Sequence, residues 1–257
     1  MEISIKCMTG IFKMRCELFL NEAYLRYGIK KHIIWDTDVA PHGAIFGTTG
    51  SGKTYAEKIL LARISLKCPD CQFYICDFKG DSDFSFLAGT KRFYRYAECK
   101  KGFDDFYNCF LKRQSGQDSS RNFLLIVWEE WASYILSLDK KVAEEEKKKL
   151  AVLLMLGRSF GVHMFLCMQR LDAAYIQSRD CLGLVLALGN LSEEGKEMMF
   201  HDYKKQMEPN RRQGTGYLII NGTNFTPFVV PQVTDHELLN DYIKRAVQRE
   251  LPPACEA

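Results

Sequence analysis

Gly43-Ala44-Ile45-Phe46-Gly47-Thr48-Thr49-Gly50-Ser51-Gly52-Lys53-Thr54 decides how this chain folds. The last eight residues complete the pattern G-x-x-x-x-G-K-[ST], a phosphate-binding loop. Gly47, Thr48, Thr49, Gly50, Ser51, Gly52, Lys53 and Thr54 supply its backbone, and Gly50 and Gly52 allow a tight turn. The N–H groups of such a turn converge on a β-phosphate at the start of the next helix. Lys53 reaches the β- and γ-phosphates, and the Thr54 hydroxyl is placed to ligate Mg²⁺. Residues 43–46 form a short apolar run that suits a buried strand, and residues 55–66 continue with helical spacing. Strand, loop and helix follow in the order that handling of ATP or GTP requires.

Working outward, strands alternate with helices. Residues 72–77 read as a second strand ending in a polar loop, residues 93–96 as a short strand, and residues 103–111 as a helix. Residues 114–121, rich in Ser, Gly, Gln and Asp, form a loop. The wholly apolar run 123–128 fits a central parallel strand covered on both faces. Residues 140–158 form a long helix, with the blocks Glu144-Glu145-Glu146 and Lys147-Lys148-Lys149 on a solvated face. Residues 162–168 and 182–188 add strands, and residues 216–220 and 225–230 make a hairpin across Asn221-Gly222. A last helix begins near Thr234, capped by its side chain with Glu237 three residues on. The fold class expected is therefore α/β, with a mostly parallel central sheet flanked by helices and antiparallel strands near the C-terminus.

Composition sets bounds. A chain of 257 residues, 47% hydrophobic, can bury one large core, and no Pro/Ser/Gly-rich linker divides it. Its apolar runs fall far short of the roughly 20 residues a membrane helix needs, and the N-terminus has no signal-peptide pattern. A cytoplasmic location is expected, with the ten cysteines as free thiols. Cys68-Pro69-Asp70-Cys71 reads as a loop with two incidental thiols, since no second pair follows at zinc spacing. A net charge of +3 does not by itself identify a nucleic-acid partner. Lys204-Lys205 and Arg211-Arg212 bracket a polar segment read as a solvated surface loop.

Cleavage of a bound triphosphate requires an acid at the end of a strand beside the loop, to hold Mg²⁺ through water and to polarise the attacking water. Glu129 and Glu130 end the apolar run there. Glu129, nearest the metal, is assigned to the magnesium shell, and Glu130, reaching past the γ-phosphate, to the water.

Five motifs, in order, resemble the FtsK/SpoIIIE DNA translocases of the FtsK–HerA superfamily of P-loop ATPases. They are Pro41-His42 running into the loop, Cys76-Asp77-Phe78-Lys79-Gly80, Leu125-Ile126-Val127-Trp128-Glu129-Glu130-Trp131-Ala132, Gly157-Arg158-Ser159-Phe160-Gly161-Val162-His163-Met164-Phe165-Leu166-Cys167-Met168-Gln169-Arg170, and Gly214-Thr215-Gly216-Tyr217. Together they span roughly residues 40–235. The resemblance implies a RecA-like motor over residues 41–250, hydrolysing ATP with Mg²⁺ between the subunits of a ring, usually a homo-hexamer, with DNA in the pore. It makes Arg158 the arginine finger offered to a neighbour's γ-phosphate, a role that suits a permanently charged, planar donor fork. It makes Gln169 the γ-phosphate sensor, since an amide at a strand end both donates and accepts.

Residues 1–40 match no motif and are expected to pack on the motor, and residues 251–257 form a tail. The family's magnesium-shell acid is normally Asp, and Glu129 is one methylene longer. The membrane domain, linker and winged-helix module of chromosome-segregating members are not matched in this chain. The function expected is a DNA-transfer motor similar to conjugative coupling ATPases, acting on single- or double-stranded DNA with a recruiting or membrane-anchored partner. The alternatives are a viral genome-packaging ATPase and a secretion ATPase that moves protein.

Overall fold

The structure is a computed structural model and describes residues 14–169 and 172–251. Arg170 of the fourth motif, residues 1–13 of the N-terminal segment and residues 252–257 of the tail lie outside these. The described strands form one ten-stranded sheet. In chain order they are β1 (Arg15–Asn21), β2 (His32–Asp36), β3 (Gly43–Gly47), β4 (Gln72–Asp77), β5 (Phe93–Arg95), β6 (Leu124–Glu129), β7 (Val162–Met168), β8 (Leu184–Leu188), β9 (Thr215–Ile220) and β10 (Asn224–Val229). Their spatial order is β2-β1-β10-β9-β8-β3-β7-β6-β4-β5.

From β8 to β5 every pairing is parallel, and from β8 outward to β2 every pairing is antiparallel. The parallel strands β3, β6, β7 and β8 are buried along their whole length, as their continuous apolar runs require. The β9–β10 hairpin turns at Asn221, whose φ of 51° suits the Asn-Gly turn read from the sequence.

Helices α1 (Glu22–Leu25), α2 (Lys53–Lys67), α3 (Glu98–Gln114), α4 (Trp131–Leu136), α5 (Lys140–Leu156), α6 (Glu193–Phe200) and α7 (His236–Gln248) complete the fold. Helices α2 and α7 pack on one sheet face, where Ile59, Leu60, Ile64, Ile243 and Val247 join Ile45, Ile75, Val127 and Phe165. Helices α3, α4, α5 and α6 cover the other, where Phe103, Phe106, Trp131, Leu150 and Phe200 meet Phe46, Ile126, Trp128 and Leu166. The result is a three-layer α/β/α domain of RecA-like type.

Several local expectations change. Residues 14–40 carry two strands, β1 and β2, which extend the antiparallel side of the sheet through pairing with β10. The long helix stops at Leu156, and a single 3₁₀ turn, Gly157–Phe160, carries Arg158. A Cβ on Gly157 would lie 2.6 Å from the Val162 carbonyl oxygen, a close approach that only glycine permits. Asp235, rather than Thr234, caps α7, its side chain accepting from Leu238 N–H at 2.8 Å.

The charged face of α5 is only partly solvated. Glu146 is buried, accepts the Tyr134 hydroxyl at 3.0 Å and pairs with Lys149 at 2.8 Å, so it ties α5 to α4. Arg211 is withdrawn from solvent as well. Its side chain is 6% exposed, ion-paired with Glu22 and set over the Tyr217 ring, which anchors the loop before β9 to α1.

Two histidines brace the sheet edge where β3 and β7 begin. His42 Nδ1 accepts from Met164 N–H at 3.1 Å, while His163 Nδ1 donates to the Pro41 carbonyl at 2.8 Å and its ring stacks on Phe123. Burial keeps both neutral, lowering His42 to about 3 and His163 to about 4. An unfolded histidine titrates near 6.5, so the stability tied to a neutral ring is complete above that pH and is lost as pH falls towards the folded value. The stability difference between wild type and His163→Gln should therefore move in the variant's favour below pH 6.5, by up to ~1.4 kcal/mol per pH unit. Denaturant titrations at several pH values measure it, and a difference constant between pH 7 and 5 would contradict the assignment.

Candidate nucleotide site

The phosphate loop lies at the carboxyl end of β3, between β7 and β8. This is the switch point where an open parallel sheet leaves a crevice for ligands. Its path depends on close approach. A Cβ on Gly47 would meet the Leu188 carbonyl oxygen at 2.3 Å, and Gly50 and Gly52 adopt φ of 79° and 96°. Gly52 precedes the first turn of α2, no side chain caps that turn, and no acid occupies it. The positive end of the helix is thus left facing the loop. On the other side, Gly214 N–H donates to the Ser51 carbonyl at 3.1 Å, fastening the loop to the segment before β9.

Lys53 folds back over the loop, donating to the carbonyls of Gly47 at 2.7 Å and Thr48 at 3.2 Å. Burial lowers its pKa, opposed by the nearby Glu130 and Glu129 carboxylates. Both acids stand at the end of β6. Glu129 is the last strand residue, in register with Asp77 of β4 and Cys167 of β7. Glu130 leaves the strand in a left-handed conformation, φ 60° and ψ 48°, with its N–H donated to the Cys167 carbonyl at 2.8 Å. A non-glycine residue held there costs of order 1 kcal/mol, strain of a kind that clusters at functional sites. It turns the Glu130 side chain out of the sheet towards Lys53, Lys79 and Gln169.

Burial raises the pKa of Glu130, while Lys53, Lys79 and a hydrogen bond from Gln169 act to lower it. Gln169 follows β7 directly and also lines a small cavity with Phe46, Thr48, Asn190 and Met198. Lys53, Thr54, Glu129, Glu130 and Gln169 are therefore brought to one edge of the sheet.

Arg158 is not. It precedes β7, so a seven-residue strand of roughly 20 Å separates it from the loop. It is exposed and donates to the Asp38 carbonyl at 3.0 Å, at the opposite edge.

Two neighbours of the site carried no role in the sequence reading. Lys79, in the loop after β4, pairs with Asp81 at 2.5 Å and adds positive charge beside Glu130. Glu57 is fully buried, and both its carboxylate oxygens are without a hydrogen-bond partner. Its signal was in the spacing: three residues after Thr54 and three before Leu60, it puts a carboxylate on the apolar face of α2.

A family model described as "Helicase HerA, central domain" matches residues 25–97, which contain the phosphate loop and β4. The FtsK domain-containing protein YdcQ of Bacillus subtilis is 29% identical over 253 residues, covering 90% of this chain and 52% of that protein. The chain thus spans about half the length of the curated relative it matches. Among solved structures, the cytoplasmic domain of the Thermomonospora curvata type VII secretion ATPase EccC superposes with a TM-score of 0.68 at 21% identity, covering 93% of this chain and 31% of that one. The pCW3 conjugation coupling protein TcpA, in a monomer form with ATPγS, gives 0.67 at 20% identity, covering 83% of this chain and 67% of that one. These two share the fold. In its HerA match over residues 25–97 and its likeness to YdcQ, the chain is similar to P-loop ATPases of the FtsK–HerA type.

Proposed function

We propose that this protein hydrolyses ATP at the interfaces of a homo-hexameric ring and uses the energy to move DNA through the pore. The observation that carries the reading is the convergence of Lys53, the open N-terminus of α2, Glu129, Glu130 and Gln169 at one sheet edge, with Arg158 at the other. A residue about a strand's length from its own loop cannot serve its own nucleotide. Exposed at the opposite edge, it is free to serve a neighbour's.

Each side chain then has a task. The loop amides and Lys53 neutralise the β- and γ-phosphates, exchanging the two carbonyls that Lys53 holds in the structure for phosphate oxygens. Glu130 accepts the proton of the attacking water, and the adjacent Lys53 and Lys79 charges favour its carboxylate form against the burial that raises its pKa. Gln169, bonded to Glu130, reports the γ-phosphate to the segment that follows β7. The residues also fit a magnesium ion: Thr54 supplies a hydroxyl, and Glu129 Oε1 is a buried acceptor without a partner. When bound, that ion supplies charge neutralisation at the phosphates.

DNA as the moved polymer, single- or double-stranded, is supported by the motif resemblance to the FtsK/SpoIIIE translocases and by YdcQ, which carries an FtsK domain. A recruiting or membrane-anchored partner would deliver it.

Four outcomes test the proposal. Lys53→Ala should abolish ATP hydrolysis, while Glu130→Gln should bind ATP with wild-type affinity and turn over roughly 10²–10⁴-fold more slowly. Undiminished turnover in Glu130→Gln would move the base elsewhere. Arg158→Ala should be inactive alone and regain part of its activity when mixed with Lys53→Ala, since each variant supplies the half-site the other lacks. Finally, single- or double-stranded DNA should raise ATPase turnover several-fold; a rate indifferent to both rules out DNA as the cargo and favours a protein substrate.

A further inference from the structure

We propose that Glu57, Glu129 and Cys167 form a site for one thiophilic divalent cation of the zinc class, buried under the phosphate loop and distinct from the magnesium that accompanies ATP. One ligand atom from each residue lies within 4.8 Å of the others. The three side chains come from separate, firmly placed elements: Glu57 from α2, Glu129 from the end of β6, and Cys167 from β7 in register with it. Their exposures are 0%, 7% and 1%.

Both oxygens of Glu57 and Oε1 of Glu129 have no partner outside the cluster, so these acidic groups sit away from water with only one another and Cys167 to satisfy them. Burial accordingly disfavours the charged form of all three. A bare carboxylate pair in such a place is too costly to persist, and it must be neutralised by a proton or a cation. A cation satisfies more of the cluster. It takes an oxygen from each glutamate, and a coordinating thiol is deprotonated outright.

The donor set selects the kind of cation. Magnesium takes oxygen ligands and keeps its waters, which a dry, sulfur-containing cluster does not accommodate. One thiolate and two carboxylates suit zinc or cadmium. Donors around tetrahedral zinc stand roughly 3.3–3.8 Å apart, so side-chain rotations of about 1 Å close the cluster onto the ion.

Resting on the ATPase reading above, one consequence follows for turnover. A cation seated here withdraws Glu129 from the magnesium shell and so inhibits hydrolysis.

The test uses the full chain without nucleotide, titrated with Cd²⁺ while the ultraviolet cadmium–thiolate charge-transfer absorption is followed, with Zn²⁺ as competitor. Wild type should take up one equivalent that Cys167→Ser does not. Glu57→Gln should bind it about tenfold or more weakly. Thermal unfolding of both variants in chelator checks that they fold, and ATP binding, measured on the same samples, reports on the nucleotide reading separately. The site is overturned if wild type takes up no cation, or if Cys167→Ser and Glu57→Gln bind it as wild type does. A shared proton would then hold the cluster together.

Discussion

Everything at the nucleotide site depends on β3 being held, without a face to water, between β7 and β8. Because it pairs in parallel on both sides, its carboxyl end opens into a crevice, and the chain can leave only by a turn pressed against the end of β8. Gly47 meets that constraint, lying where any Cβ would strike the Leu188 carbonyl. The same parallel registry sets Glu129 beside Cys167 and Asp77, which places the acids without any contact made by the loop itself. Geometry here is a property of the sheet, and the loop inherits it.

The cost of this arrangement is electrostatic. Four acids, Glu57, Asp77, Glu129 and Glu130, sit at or below the strand ends, and burial raises the pKa of each. Arg95 faces Asp77, and Lys53 and Lys79 face Glu130, so two of the four are directly balanced. Glu57 and Glu129 are left to each other and to Cys167. A magnesium–nucleotide complex would change that balance, and so would a cation in the cluster. The site is poised around charge that it does not itself supply.

Much of this was legible in the sequence because the signals were local. A phosphate loop is defined by glycines whose φ values only glycine adopts readily, and Gly50 and Gly52 hold such values. Buried parallel strands announce themselves as unbroken apolar runs, and Asn221-Gly222 turns where an Asn-Gly turn should. The misreadings arose where tertiary context outweighed local pattern. The segment before Pro41 has no motif because β1 and β2 are strands stabilised by pairing with β10, which lies some 200 residues away in the chain. Glu146 and Arg211 look like solvent charges in sequence, and only the approach of Tyr134 and Glu22 encloses them.

The sequence by itself determined the chemistry: a complete phosphate loop, acids at the end of an apolar strand, and the order of five motifs specify a nucleotide-handling α/β domain. These are short-range facts, because a loop's glycine pattern and an unbroken apolar run are properties of adjacent residues. Tertiary structure alone decided which groups share the site. It drew Gln169 and Lys79 to Glu130, set Arg158 a strand's length away, and enclosed Glu57 with Glu129 and Cys167. Those distances follow from parallel registry and helix packing, which join residues that no local spacing connects.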